Sequence, residues 1–311
     1  MGIHSMMAIA ILTASCTFQS LQPPEARYRV ALVDSFYPGP QHFTDEEDRR
    51  IKLRLHGVVD ADRDWIREPY YHGDVVSMFI AHPSVAVIPY PVRDNKSAKR
   101  DILAALRRIQ QQRDAGEPID AVLLPWESST LISAFEKPLQ LEHVAAYKAQ
   151  IRRWGESQAS WRETSDIIDA METLAAGGAL VYTIAGNGGR GMVNAYSFAE
   201  GVVTVSAVEP DLDRYVADNP FVDTHEKAAY LARLIYGAAG RPIGYDVNGD
   251  QCPDIPLACI STYTSSRETY PASAWRAIRG SSFAAPTALK RYLTAEAKAP
   301  TCIANAGATS R

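Results

Sequence analysis

Apolar positions along the chain fall into short unbroken runs separated by longer stretches of helical spacing. The runs at 29–33, 85–88, 119–124, 179–184 and 202–208 are rich in aliphatic and β-branched residues and are bounded by turn residues. A run that is apolar on both alternating faces has no side meant for water, which is the pattern of a strand covered above and below. Between the runs, Ile102, Leu103, Leu106 and Ile109 recur on one helical face, as do Ile167, Ile168, Met171 and Leu174. Strand alternating with helix calls for right-handed crossovers. The pattern therefore predicts a three-layer α/β fold, a mostly parallel central sheet with helices on both faces. No Pro/Gly/Ser linker interrupts 28–299, so one domain is expected there, between an N-terminal segment (1–27) and a small-residue tail (300–311).

Composition changes this picture little. An apolar fraction of 46% and a charged fraction of 22% are those of an ordinary soluble domain, and a net charge of −4 supplies no basic field for nucleic acid. The N-terminus adds a destination. Residues 6–14 (MMAIAILTA) form an apolar run of signal-peptide length, too short to span a bilayer, and lead into Ser15-Cys16. That arrangement resembles a bacterial lipoprotein cleavage site. Export to the periplasm, cell envelope or medium is expected, with Cys16 as a candidate lipid anchor. Cys252, Cys259 and Cys302 form no CxxC pair, which argues against zinc. Cys252 and Cys259 bracket a proline-containing loop that a disulfide could close, and the pairing among the three stays open.

Open parallel sheets present ligands to the carboxyl ends of their strands. Asp34 ends the first run, and Asn187 follows the run at 179–184. His72 and Ser282 stand where helical patterns begin, the first ahead of Val75, Val76 and Phe79, the second ahead of Leu289, Tyr292 and Leu293. Singly, each is an ordinary cap or turn residue. Together they supply a nucleophile, a base, a carboxylate to fix the base's tautomer, and an amide donor for an oxyanion, the parts that acyl transfer requires. Gly280, Ser281, Ala284 and Ala285 keep the surroundings of Ser282 small. A helix starting there leaves the Ser282 N–H unpaired at the positive end of the dipole. Pro286 is tolerable only this close to a helix start.

At these residues the chain resembles the subtilisin-like serine proteases (subtilases). The family's Gly-Thr-Ser-x-Ala-x-Pro stands here as Gly280-Ser281-Ser282-Phe283-Ala284-Ala285-Pro286, and its His-Gly-x-x-Val as His72-Gly73-Asp74-Val75-Val76. Ala185-Gly186-Asn187-Gly188-Gly189 matches the oxyanion-hole motif, and Asp34 closes an aliphatic strand as the family's aspartate does. His56-Gly57 competes with His72, but Val58 to Asp62 begins no amphipathic helix. The resemblance implies a subtilisin-like fold and a serine endopeptidase acting on protein or peptide. Asp34, His72 and Ser282 would be its triad and Asn187 its oxyanion donor, with no cofactor. The family's substrate-binding Ser-Leu-Gly is replaced here by Pro125-Trp126-Glu127-Ser128, so cleavage specificity does not carry over.

Two other readings compete. Gly186-Asn-Gly188-Gly-Arg-Gly191 satisfies G-x-G-x-x-G, with Glu209 following a later strand, and would make a dinucleotide-binding module. It needs a crossover helix for which 192–200 is short, and it leaves Asp34, His72 and Ser282 unexplained. A catalytically inactive subtilase fold used for binding is the second. Asp246-Val-Asn248-Gly-Asp250, with Asp254 beyond, has the alternating oxygens of a calcium loop. Gln251 and Leu257 occupy the positions that want Gly and Glu, so the segment reads as a polar surface loop and no metal is assigned.

Overall fold

The first strand decides the layering. In β1 (Tyr28–Asp34), Val30 and Leu32 face one core while Ala31 and Val33 face another, and all four are fully buried. A computed structural model of the chain describes residues 26–38, 47, 70–93, 98–209, 217, 219–237, 239–256 and 276–295. After β1 come α1 (His72–Ile80), β2 (Val85–Pro91), α2 (Ala98–Asp114), β3 (Ala121–Leu124), β4 (Ser129–Leu131), α3 (Val144–Ser157) and α4 (Ala159–Ala176). Then follow β5 (Leu180–Ile184), β6 (Met192–Asn194), β7 (Val202–Ala207), β8 (Thr224–Glu226), β9 (Ala229–Tyr236), β10 (Pro242–Asp246), β11 (Ile255–Pro256), β12 (Arg276–Arg279) and α5 (Ser281–Thr294).

The central sheet has six strands in the order β2-β1-β3-β5-β7-β8, parallel throughout. Val75, Phe79 and Leu289, from α1 and α5, pack on the face of Val30 and Leu32. Leu106, Ile151 and Ile168, from α2, α3 and α4, pack on the face of Ala31 and Val33. The fold is therefore the three-layer α/β arrangement that the apolar runs predict, and each of the five runs lies on a central strand.

Two parts differ from the sequence pattern. Helix α3 buries few apolar side chains, chiefly Tyr147 and Ile151, so its period is thin. A four-stranded antiparallel sheet, β11-β10-β9-β12, lies beside the central one. Its strand β9 alternates, with Tyr230 and Ala232 buried, but Leu231 points outward and hides the period. Among the described residues no helix is long and apolar enough to cross a membrane. Residues 6–14, Cys16, His56, Leu257, Cys259, Cys302 and the tail lie outside the described residues. Cys252 is disulfide-bonded.

Candidate active site

Parallel strands end together, so the carboxyl ends of β1, β3 and β5 form one rim. Asp34 is the last residue of β1 and is completely buried, and its Oδ1 accepts the Ser35 N–H at 2.7 Å. His72 opens α1 directly opposite. Its Nδ1 lies 2.8 Å from Asp34 Oδ2 and 3.0 Å from Oδ1. Gly73 makes this approach possible. A Cβ there would lie 2.7 Å from the Ser35 carbonyl oxygen and 2.8 Å from Asp34 Cβ. Without one, the Gly73 N–H donates to that carbonyl at 2.7 Å and the helix start abuts the strand end. Asp74 fastens the same junction, its Oδ2 accepting the N–H groups of Tyr71 and Tyr37, each at 2.8 Å.

These contacts set the charge of the imidazole. Burial favours neutral His72, but the Asp34 charge and hydrogen bond outweigh it and hold the pKa above its ordinary 6.5. Burial likewise pushes Asp74 up to about 6, against the two N–H donors that favour its charged form. His72 keeps 32% of its side chain exposed, and its Nε2 has no hydrogen-bond partner among the described residues.

Ser282 lies in the first turn of α5 and is buried. Its Oγ is turned toward the Pro125 carbonyl, to which it donates at 3.4 Å, and not toward His72. The two elements still meet, since the ring of Phe283 packs on the His72 ring with centroids 5.8 Å apart. Asn187 completes the group. Its Oδ1 accepts both the N–H of Ser281 at 3.1 Å and the Ser281 hydroxyl at 2.9 Å. Two donors on one atom identify that atom as the oxygen. The amide nitrogen is left without a partner among the described residues. The sequence-derived quartet thus gathers at one rim, with the Asp34–His72 pair formed and the contact between His72 and Ser282 not formed.

Asn194 and Lys99, which the sequence reading passed over, hold this rim together with Trp126, which it noted only as a departure from the family's strand. Asn194, fully buried, uses both ends of its side chain. Its Oδ1 accepts from the N–H groups of Ser128 (2.9 Å) and Tyr196 (3.2 Å), and its Nδ2 donates to the carbonyls of Trp126 (3.2 Å) and Ile184 (2.7 Å). It thereby clamps the wall 125–128 to the end of β5. The Trp126 indole N–H reaches back to the Val33 carbonyl at 3.1 Å, beside Asp34. Lys99 donates to the hydroxyls of Ser128 (3.0 Å), Ser160 (2.8 Å) and Thr164 (2.8 Å). Burial pulls its pKa down against the opposing charge of Glu163. The signal in the sequence was slight, a single amide inside the apolar stretch MVNAYSF.

The glycine-rich stretch 186–191 leads into β6 and then a short 3-10 turn, so no helix N-terminus stands there to receive a pyrophosphate. The Glu209 carboxylate accepts the N–H groups of Ala228 and Ala229 at 3.0 Å. Neither observation suits a dinucleotide site. Farther along, carboxylate oxygens of Asp246, Asp250 and Asp254 lie within 4.8 Å of one another. Asp246 accepts from the N–H groups of Gly249 and Gln251, and Gln251 takes a positive φ of 67° at the position where a calcium loop has Gly. Burial, with the charges of Asp250 and Asp246 adding to it, pushes Asp254 up to about 8 against the N–H donors of Val247 and Asn248. A cavity of about 570 Å³ lined by Tyr28, Ile119 and Leu180 lies at the opposite, amino ends of the strands.

No family model matches the chain, and no curated protein matches it. Solved structures do. Similarity covers 89% of this chain and 77% of a lanthipeptide protease, at 16% identity and a TM-score of 0.46. It covers 86% of this chain and 74% of the PatG macrocyclase in complex with peptide, at 12% identity and a TM-score of 0.43. For MycP1 with its N-terminal propeptide removed, the figures are 85% and 76%, 15% identity and a TM-score of 0.44. These likenesses concern chain path. The resemblance to subtilases at the level of side chains lies in Asp34, His72, Asn187 and Ser282, in that order along the chain and at one rim in space.

Proposed function

We propose that the protein is a serine endopeptidase that cleaves peptide bonds through an acyl-enzyme on Ser282. The observation that carries this is the Asp34–His72 pair. A fully buried carboxylate engages Nδ1 of a partly exposed imidazole, which puts the lone pair of the neutral ring on Nε2, the atom that has no partner among the described residues. An imidazole so oriented is a general base. Ser282 Oγ must turn from the Pro125 carbonyl to Nε2 for the reaction to begin. Catalytic hydrogen bonds often tighten only when substrate is present.

In this mechanism Oγ attacks the scissile carbonyl as its proton passes to His72 Nε2, and Asp34 stabilises the imidazolium. The oxyanion is received by Asn187 Nδ2 and by the Ser282 N–H, which lies in the first turn of α5 and so has no intrahelical carbonyl to bond. His72 returns the proton to the leaving amine, and water hydrolyses the acyl-enzyme by the same route. The test is labelling of the purified protein with a fluorophosphonate probe and mapping of the adduct by mass spectrometry. An adduct on Ser282 is expected, and an unlabelled Ser282 in soluble, folded protein would sink the reading. Export belongs to the proposal through residues 6–16 alone. The mature chain from a bacterial host should begin at or near Cys16, and an intact Met1 in the cytosol would reject it.

A further inference from the structure

The wall that replaces the family's substrate-binding strand carries a charge where acyl-transfer chemistry has no use for one. Glu127 is exposed at the rim, and its Oε2 accepts the Asn187 N–H at 2.7 Å and the Ser129 hydroxyl at 2.8 Å. Gly186 permits the approach, because a Cβ there would lie 2.6 Å from that oxygen. Its φ of +102° also suits glycine best. The other oxygen, Oε1, has no hydrogen-bond or ion-pair partner among the described residues. A carboxylate therefore sits against the backbone of the residue whose amide is to receive an oxyanion. Like charges brought close together oppose each other, and a carboxylate so placed works against the transition state unless something neutralises it.

Resting on the endopeptidase reading above, we infer that the substrate supplies the neutralising charge: a lysine or arginine side chain on the acyl side of the scissile bond, seated against Glu127 Oε1. The cation does two things. It binds, by a charge-assisted hydrogen bond to an oxygen without a partner among the described residues. It also removes the repulsion that Glu127 exerts on the oxyanion, so its effect enters kcat as well as KM. Peptides with a neutral residue in that place would meet the uncompensated charge, and peptides with an acidic one would add to it. Discrimination of this kind uses a repulsive element as much as an attractive one.

The experiment is a set of peptides differing only at the acyl-side positions (Lys, Arg, norleucine, Gln, Glu), measured as kcat/KM on the full-length chain. Lysine and arginine should exceed norleucine by about tenfold or more. Glu127→Gln keeps an oxygen for the Asn187 N–H while removing the charge. It should raise cleavage of the norleucine peptide, lower that of the lysine peptide, and abolish the preference. Glu127→Lys should invert it toward the acidic peptide. The same peptides, titrated into the Ser282→Ala protein by calorimetry, report binding without turnover and should show the same order. Fluorophosphonate labelling at Ser282 without a cationic preference, or a preference that survives in Glu127→Gln, overturns the inference and leaves the endopeptidase reading standing. Failure of labelling and cleavage overturns that reading, and the calorimetric series then decides on Glu127 by itself.

Discussion

The two faces of the central sheet divide the work differently. On the face covered by α1 and α5, helices begin at the rim with side chains of the proposed triad, His72 at the start of one and Ser282 in the first turn of the other. On the face covered by α2, α3 and α4, none of the described side chains enters the proposed chemistry. That face contributes bracing instead, since Lys99 of α2 and Thr164 of α4 both bond to Ser128 at the back of the wall 125–128. The difference lies in what the early turns carry. Helices α2 and α4 also begin beside the rim, but their early turns bring Lys99, Ser160 and Thr164 to the back of the wall, whereas those of α1 and α5 bring His72 and Ser282.

With the proposed roles, losses on the first face should be chemical and near total. Ser282→Ala should remove probe labelling and lower kcat by about a millionfold, with peptide affinity and melting temperature close to wild type. Residual turnover within tenfold of wild type would break the comparison outright. Asp34→Asn should cost about 10⁴-fold in kcat at neutral pH, because the amide no longer holds the useful tautomer. It also carries a pH signature. In the proposed mechanism His72 acts as a base only when neutral, and its pKa is raised, so the acid limb of the wild-type rate profile should lie above pH 6.5. With Asp34 uncharged only burial remains, and the limb should move below 6.5. The stability linkage runs the opposite way. The His72–Asp34 pair contributes fully below pH 6.5 and is lost as pH rises through the raised value. Wild type should thus lose stability over the window in which it gains activity. An acid limb that does not move in Asp34→Asn would detach the pair from catalysis.

What the sequence revealed follows the same division. The sheet was legible because both of its faces are buried, leaving unbroken apolar runs whose period cannot be mistaken for a half-wet strand. His72, Asn187 and Ser282 were legible because each sits in a local motif, where small neighbours serve a single backbone geometry. The braces were not. Asn194 answers to Ser128, Trp126 and Ile184, and Lys99 to Ser128, Ser160 and Thr164, partners 10 to 68 residues away that only the fold assembles. Trp126 looked like a departure from pattern, and its indole bond to the Val33 carbonyl gives it a place. The open His72–Ser282 contact was beyond reach for another reason, since a serine rotamer leaves no trace in sequence.

The sharpest comparison sets two asparagines against each other, seven residues apart in sequence and on opposite sides of the division. In the proposed mechanism Asn187 offers an amide to charge that exists only in the transition state. Asn187→Ala should therefore lower kcat by roughly 10²–10³ and leave KM nearly unchanged. Some loss of order at Ser281 is expected, because Oδ1 holds both its N–H and its hydroxyl. Asn194 touches no reacting atom, but Asn194→Ala strips partners from two N–H groups and two carbonyls. Stability should fall by about 2–4 kcal/mol, because unsatisfied buried groups cost on the order of 1–3 kcal/mol each and water or local relaxation recovers part. The wall 125–128 would then sit less firmly against β5, so KM should rise several-fold while kcat falls by about tenfold at most, the scale of a lost positioning contact. Measured together, melting curves and steady-state kinetics separate the two roles. The comparison fails if Asn194→Ala loses as much kcat as Asn187→Ala at unchanged KM, for then the brace would be acting on the oxyanion itself.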